Sequence, residues 1–592
     1  MAKKTEKVTV AATYTWRRIL VVVFFFCLVV GLSARAVQLQ IISRDFLKGQ
    51  GDVRHIRTVE VPANRGMITD RDGNPFAIST PVYSVWVDPV VLLENSEFIA
   101  PLAKALNIAA LSLRKKLDQK SDKRFLYLQR KVRPEISQAI KNLDVPGVGL
   151  EREYKRFYPD GEVIGQITGF TGVDSRGQEG LELVFDEWLT GKPGKKKVLK
   201  DLYGRSVENV ENIKSPQSGN DLVLTIDRRI QFLAYRELKK AVVKHKARAG
   251  TAVVIDCKRG EILAMVNQPS FNPNNRSGFK TAGIRNRAIA DRFEPGSTVK
   301  PITIAAALDL EIINPHTVFE TSPGYMMVGS KTLKDTRNYG KIDVTTILQK
   351  SSNIGTAKIA LSMEPDYFLS VMSKAGFGQE SGLSLPGETS GYLGNKSRWS
   401  DIERVTMAFG YGVSASVLQL AQAYTAFANE GVMQPVSLVK ENEKRQGKKV
   451  FTKKTAKQVL EMMEKVVAKG GTAPLAAITN YRVAGKTGTS KKSIAGGYAD
   501  DRYAALFAGI VPASDPRFVM VVVIDEPSAG EFYGGKVAAP VFSSVMTGVL
   551  RLLNVPPDDW HNKNNREIGS GRKIESDREI ESSTKVEGNR EV

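Results

Sequence analysis

The sequence predicts an α+β protein: an antiparallel sheet with helices packed on it, behind a mixed α/β module that one apolar helix ties to a membrane. Three observations carry that reading. One charge-free run stands near the N-terminus of the 592 residues, two pairs of apolar β-type runs are joined by links too short for a crossover, and segments apolar at helical spacing accompany them. With 42% hydrophobic residues the chain holds apolar material for two or three cores rather than one.

From Ile19 to Ala34 the chain reads ILVVVFFFCLVVGLSA, a helix of about 24 Å against a hydrocarbon core of about 30 Å. The apolar pattern resumes after Arg35 as AVQLQII, so a span over 19–42 reaches across once the arginine snorkels to the interface. Lys3, Lys4, Lys7, Arg17 and Arg18 precede it, with Tyr14 and Trp16 at interface depth. This order predicts residues 1–18 in the cytoplasm and the remainder outside. The competing reading is a cleaved signal peptide, because Ala34-Arg35-Ala36 fits a cleavage pattern; the apolar residues beyond it favour the anchor.

Residues 43–215 mix short β-like runs, turns and charges without joining a nucleophile to a base, and read as a non-catalytic module. Within it, NRGMITDRDGN (64–74) and GQITGFTGVDSRGQEGLELVFDEWLTGKPG (165–194) are dense in glycine and charge, for which tight turns and close backbone approach are the default explanation. ENIKSPQSGND (211–221) reads as the boundary to a second domain over 216–555. There RIQFLAYRELKKAVVKHKA is apolar at helical spacing, TAVVID and EILAMV flank the turn CKRG, and RYAALFAGIVP and RFVMVVVID flank ASDP. From Pro556 onward the chain is charged and nearly free of large apolar residues, which predicts a disordered tail, 556–592.

Composition removes several function classes. Cys27 and Cys257 make neither a disulfide framework nor a thiolate cluster, and His55, His245, His316 and His561 lack ligand spacing, so no metal and no cofactor is expected. The formal charge of +22 would suit nucleic acid, but it is spread and offers no aromatic-basic reading surface. No nucleic-acid partner is expected.

The chemistry concentrates in three short motifs. EPGSTVKP places Ser297 and Lys300 three apart at the start of STVKPITIAAALDL, which is apolar nearly all round and so predicts a buried helix. Ser-x-x-Lys alone says little, since it recurs at Ser112, Ser277, Ser437, Ser570 and Ser582. Burial separates Ser297: residues three apart share a helix face, and a buried lysine is costly unless it has work or partners. Pro301 adds an expected irregularity, because it cannot donate the helical bond to the Ser297 carbonyl. For Lys300 to act as a base near neutrality its pKa must fall from about 10.4 by roughly 3 units, about 4 kcal/mol of environmental effect. Burial and a second cation supply such a shift, and Lys486 in VAGKTGTS is the candidate cation. That stretch is no phosphate loop, because Asn480 stands where glycine is needed. On a strand, Gly488 allows close backbone approach of a ligand and the Thr487 and Thr489 hydroxyls suit a carboxylate; a simple bulge is the alternative for the glycine. The third motif, LQKSSNIGTAKIA, contains Ser351 and Asn353, and a Ser-Ser-Asn cluster is most often a helix cap. Its weight comes from order: Ser-x-x-Lys, Ser-x-Asn about 50 residues on, and Lys-Thr-Gly over 100 further on together form the set shared by serine β-lactamases and penicillin-binding proteins.

With RGMITDRDGN, GFTGVDSRGQEGLE, FGYGVSASVLQLAQAYTAFANEG and FYGGKVAAPVF (532–542), the chain resembles class B penicillin-binding proteins of the division-specific FtsI type, also called penicillin-binding protein 3. The likeness runs from the anchor to about residue 555. Asn353 stands where elongation-type relatives tend to carry aspartate, and Ser416-Val417 replaces the usual Thr-Pro. The resemblance implies a transpeptidase domain with helices on both faces of its sheet, an elongated pedestal, and an inner-membrane enzyme with its catalytic domain in the periplasm. It further implies a D,D-transpeptidase acting on D-Ala-D-Ala stem peptides of septal peptidoglycan, and acylation by β-lactams. Ser297 would be the nucleophile, Lys300 its base, and Ser351 and Lys486 a proton path. Asn353 would orient Lys300 and substrate, with Thr487, Gly488 and Thr489 binding substrate and the N–H groups of Ser297 and Thr489 holding the oxyanion. A membrane-embedded glycosyltransferase and other division proteins are the implied partners. Two other readings share the motifs: a tethered β-lactamase, which needs a Glu-x-x-Leu-Asn stretch that does not occur between Asn353 and Lys486, and a sensor that retains the fold without turnover.

Overall fold

The computed structural model describes residues 15–46, 56–200, 206–275, 281–394, 399–443, 445–494 and 496–559. Lys3, Lys4, Lys7 and Tyr14 of the expected cytoplasmic segment, and the tail over 560–592, lie outside these residues.

The apolar run is helical over Thr15–Val37 and continues through a wider, π-type turn over Gln38–Ile42. Its 28 residues extend about 42 Å at the usual rise, enough to cross a bilayer. The Arg35 guanidinium donates to Gln38 Oε1 at 2.7 Å, so the charge within the run has a local partner. The Phe24, Phe25 and Phe26 rings point outward.

The chain divides into two compact units, one of residues 1–64, 81–154 and 191–218, the other of 65–80, 155–190 and 219–592. The first holds an antiparallel sheet in which Gly194–Lys200 lies between Ile56–Val61 and Ser206–Lys214. A second core there, built on Val85, Val87, Leu92, Leu102, Leu113, Leu117 and Ile140, joins short helices to a strand pair.

The second unit is built on a five-stranded antiparallel sheet. The expected hairpin forms as Ala249–Asp256 and Glu261–Gln268, and Gly497–Val511 pairs with Phe518–Asp525. Ala249–Asp256 also pairs with Phe518–Asp525, which joins the two hairpins, and Ala484–Ile494 adds on Gly497–Val511 as an edge strand. Helices Arg228–Lys244 and Ala539–Leu552 pack together against the sheet, and Val417–Ala428 packs on it separately with every residue buried. Both strand faces are therefore covered, and Ala249–Ile255 and Phe518–Ile524 are buried at every position. Asp227 caps Arg228–Lys244, accepting from the N–H groups of Arg229 and Ile230.

The stretches 64–74 and 165–194 lie largely in the segments 65–80 and 155–190, which fold with this second unit rather than with the module expected over 43–215. The physical reason is contact with that unit: Arg228 Nη2 binds Asp160 at 2.6 Å, Gln166 Nε2 donates to Gly283 O at 2.7 Å, and Ile68, Phe76 and Ile167 enter the core that holds the sheet. An ionic cluster ties the two segments to each other. Arg65 Nε and Arg156 Nε donate to opposite oxygens of Glu182 at 2.7 and 2.6 Å, and Arg65 Nη1 reaches Asp186 at 2.7 Å. Of the tail expected over 556–592, Asp558 is instead held by the second unit, accepting from Arg482 N at 2.7 Å and from the Ser514 hydroxyl at 2.6 Å.

Candidate active site

Ser297 sits in a single tight turn, Gly296–Val299, from which the helix Lys300–Asp309 departs with Lys300 to Leu308 all buried. The irregularity expected at Pro301 is the change from the tight turn to the helix: Pro301 falls in the first turn of the helix, where no backbone donor is needed. Two glycines seat the turn. Gly296 has φ +53° and donates its N–H to Gly410 O at 3.1 Å, while a Cβ added to Gly410 would come within 2.2 Å of Gly296 O. From behind, the Tyr424 hydroxyl donates to Thr298 O at 2.7 Å. Tyr424 belongs to Val417–Ala428, which Ser416 and Gln419 start as a capping box. Ser416-Val417 thus retains the hydroxyl cap that threonine would provide.

The Ser-Ser-Asn corner is both a double helix cap and the partner of Lys300. Ser351, at φ +61°, ends the helix Val344–Lys350, and Ser352 starts Asn353–Leu361 by accepting from Gly355 N at 2.9 Å. Because the chain reverses at Ser351, its carbonyl and hydroxyl and the Asn353 side chain converge on one point. Lys300 Nζ fills it, donating to Ser351 O at 2.7 Å, Ser351 Oγ at 3.3 Å and Asn353 Oδ1 at 2.8 Å.

The edge strand brings the third motif to the same place. Lys486 Nζ donates to Ser351 Oγ at 3.0 Å and to Thr487 O at 3.1 Å, so one hydroxyl lies between two fully buried amines. Gly488 is also required by packing: an added Cβ would lie 3.0 Å from both Pro295 O and Thr298 Cγ2, so glycine lets the Ser297 turn dock on the strand. On the opposite face the Thr487 hydroxyl pairs with Thr472 at 2.8 Å and Thr489 Oγ1 accepts from Gly534 N at 3.1 Å. Gly534 and Gly535, from FYGGKVAAPVF, are pinned by backbone: an added Cβ would meet Leu506 O and Thr472 O, each at 2.2 Å.

Burial sets the electrostatics. It pushes the Lys300 amine down to about 7, opposed by the negative charge of Asp335, and it lowers Lys486 well below the ordinary lysine value, with Lys300 adding to that fall. Two buried cations sharing one hydroxyl cannot both stay charged, so neutral amine is available at the site. The Ser297 hydroxyl, half-buried in the turn, makes no hydrogen bond among the described residues. A cavity of about 460 Å³ opens beyond Thr489 along the strand, bordered by Arg292, Glu294, Tyr392, Ser490 and Lys491 and by none of the candidate site residues. That is room for part of a peptide.

Residues 250–547 match the penicillin-binding protein transpeptidase domain, and residues 60–224 match the penicillin-binding protein dimerisation domain. The chain is 45% identical over 532 residues to the peptidoglycan D,D-transpeptidase FtsI of Escherichia coli K12, covering 89% of this chain and 90% of that protein. This chain is a penicillin-binding transpeptidase. It belongs to the class B, penicillin-binding protein 3 type. It is 41% identical to the probable peptidoglycan D,D-transpeptidase PbpC of Pseudomonas aeruginosa, over 92% of this chain and 96% of the relative. Among solved structures, the apo transpeptidase domain of Burkholderia pseudomallei penicillin-binding protein 3 is 42% identical, covers 57% of this chain and 97% of its own, and has a TM-score of 0.53. Penicillin-binding protein 3 of Mycobacterium tuberculosis, complexed with aztreonam, is 28% identical over 84% of this chain and 98% of its own, at a TM-score of 0.66.

In this transpeptidase Lys300, Ser351, Asn353 and Lys486, all singled out by sequence, meet at one corner, and Ser297 lies just before Lys300 in a turn that docks on the strand carrying Thr487 to Thr489. Sequence reading missed Asp335, Thr472, Gly410 and Tyr424. Gly410 and Tyr424 lie inside a quoted stretch, but their work is contact with a turn more than a hundred residues away. Asp335 in KTLKDTRNYG carries no local pattern at all.

Proposed function

We propose that the chain is a peptidoglycan D,D-transpeptidase crosslinking stem peptides of the septal wall, with Ser297 as nucleophile and Lys300 as its base. The observation that carries the reading is the convergence of three separated segments on Ser351, where two buried amines meet beside the Ser297 turn. Neutral Lys300 takes the Ser297 proton as Oγ attacks the carbonyl between the two terminal D-alanines. N–H groups of Ser297 and Thr489 hold the developing oxyanion; one such donor is worth roughly 3–4 kcal/mol of barrier. The Ser351 hydroxyl relays the proton from Lys300 to the leaving nitrogen, the C–N bond breaks, and D-alanine departs. Lys486 orients that hydroxyl, and Asn353 holds Lys300 and the substrate amide. Thr487 and Thr489 receive the terminal carboxylate, with Gly488 keeping their strand against the turn. An amine from a neighbouring stem then attacks the ester, giving the crosslink and free Ser297. A β-lactam acylates Ser297 by the same first step and stays.

We place the N-terminus in the cytoplasm on the strength of Arg17 and Arg18 ahead of the span, and the second unit in the periplasm. A membrane-embedded glycosyltransferase and division proteins are the partners that suit an anchored crosslinking enzyme. Ser297→Ala in the full chain should abolish covalent labelling by fluorescent penicillin with the fold intact; labelling that persists removes Ser297 from its role. Deacylation separates the alternatives: it is amine-dependent for a transpeptidase, fast in water for a β-lactamase and negligible for a sensor.

A further inference from the structure

Asp335 stands at the foot of a hairpin formed by Tyr325–Val328 and Lys331–Lys334. Its carboxylate is spent on the Ser-Ser-Asn corner: Oδ2 accepts from the Ser352 hydroxyl at 2.6 Å, and Oδ1 accepts from the N–H of Asn353 at 2.5 Å and of Ile354 at 3.2 Å. Next to it, Lys334 O accepts from Asn353 Nδ2 at 3.0 Å, which turns Asn353 Oδ1 toward Lys300 Nζ, 2.8 Å away. The loop therefore grips both neighbours of the groups that hold the Lys300 amine. Charge adds a second action, since carboxylates near the first turn of a helix are favoured and a negative group close to an amine strengthens its hold on a proton.

We propose that Asp335 is a positioning residue for the base: it fixes the backbone of the corner so that Ser351 O and Asn353 Oδ1 point at Lys300, and its charge sets where on the pH scale Lys300 works. This rests on the reading of Lys300 as base. The groups acting on the Lys300 amine are Ser351 and Asn353 from the corner, Lys486 from the edge strand and Asp335 from the loop. Asp335 is the acid among them, and its charge raises the proton affinity that burial lowers.

The test is penicillin acylation of the full-length protein across pH for Asp335→Asn and Asp335→Ala, with thermal unfolding as the check on folding. Asp335→Asn keeps an acceptor for the two N–H groups and removes the charge. Its acylation midpoint should move down by about 0.5–1 pH unit, with a modest loss of rate. Asp335→Ala loses the grip as well, and its plateau rate should fall about 10- to 100-fold at the same lowered midpoint. Ser352→Ala, which keeps the charge and removes one of its partners, should lower the plateau and leave the midpoint in place. A midpoint unmoved in both Asp335 variants overturns the proposal and leaves a merely structural loop. A parent protein that is not acylated at Ser297 overturns instead the function on which it rests.

Discussion

The second unit buries two clusters of charged groups, and they are built on opposite rules. Around Glu182, two guanidiniums meet one carboxylate: Arg65 and Arg156 bind its two oxygens, Asp186 and Thr190 take a further Arg65 N–H, and Tyr158 adds its hydroxyl at 3.4 Å. Around Ser351, two amines meet one hydroxyl, with Asp335 as the acid acting on Lys300. The first cluster offsets its desolvation by opposite charge and closely matched donors. The second compensates its desolvation only in part, through Asp335 and neutral acceptors, so burial lowers the proton affinity of its amines. The same burial thus goes with a fastening in one place and a lowered amine proton affinity in the other, according to how far an anion answers the buried charge.

That contrast is open to test, beginning with the largest effect. Lys300→Met should slow penicillin acylation by about 10²–10⁴-fold while leaving thermal stability equal or higher, because the variant no longer buries an amine. Glu182→Ala should act in reverse, lowering unfolding free energy by about 3–5 kcal/mol in urea titrations, because two buried guanidiniums lose their counter-charge. Acylation per folded molecule should survive that change. Should the two variants show the same balance of lost rate and lost stability, the division between the clusters fails.

The pH dependence sharpens the same point. In the folded state Lys300 titrates at about 7, against the ordinary value of 10.5. Acylation should rise as pH passes through about 7 and level off above it. Between about 7 and 10.5 the unfolded chain binds a proton that the native one does not, so the lysine's penalty on stability is full below 7 and fades as pH climbs through that window. Lys300→Met should flatten this slope in urea titrations run at several pH values.

Smaller effects follow at the edges of each cluster. Gly488→Ala forces a methyl within 3.0 Å of the nucleophile turn and should cost about 1–3 kcal/mol, with slower acylation, since the turn must shift to admit it. Arg176→Ala removes an exposed guanidinium 3.2 Å from Asp186, at the rim of the Glu182 cluster. Its cost should stay at about 0–1 kcal/mol, within the range of surface ion pairs.

Local pattern in the sequence determined a helix long and apolar enough to cross a membrane, both hairpins of the sheet, the helix after Asp227 and the three motifs from which the catalytic groups are proposed. Each of these is written in residues near one another: an apolar run, paired β-type runs around four-residue turns, helical spacing behind a cap, and three short motifs in order. The tertiary structure decided what acts across the chain. It set Pro301 in the first turn of a helix, packed Gly488 against a turn and assigned 65–80 and 155–190 to the second unit. It also joined Lys300 to Lys486 through Ser351 and brought Asp335 beneath the corner. The physical reason is that hydrophobic periodicity and capping are set within a few residues, whereas burial, counter-charge and close approach depend on segments that only the folded chain brings together.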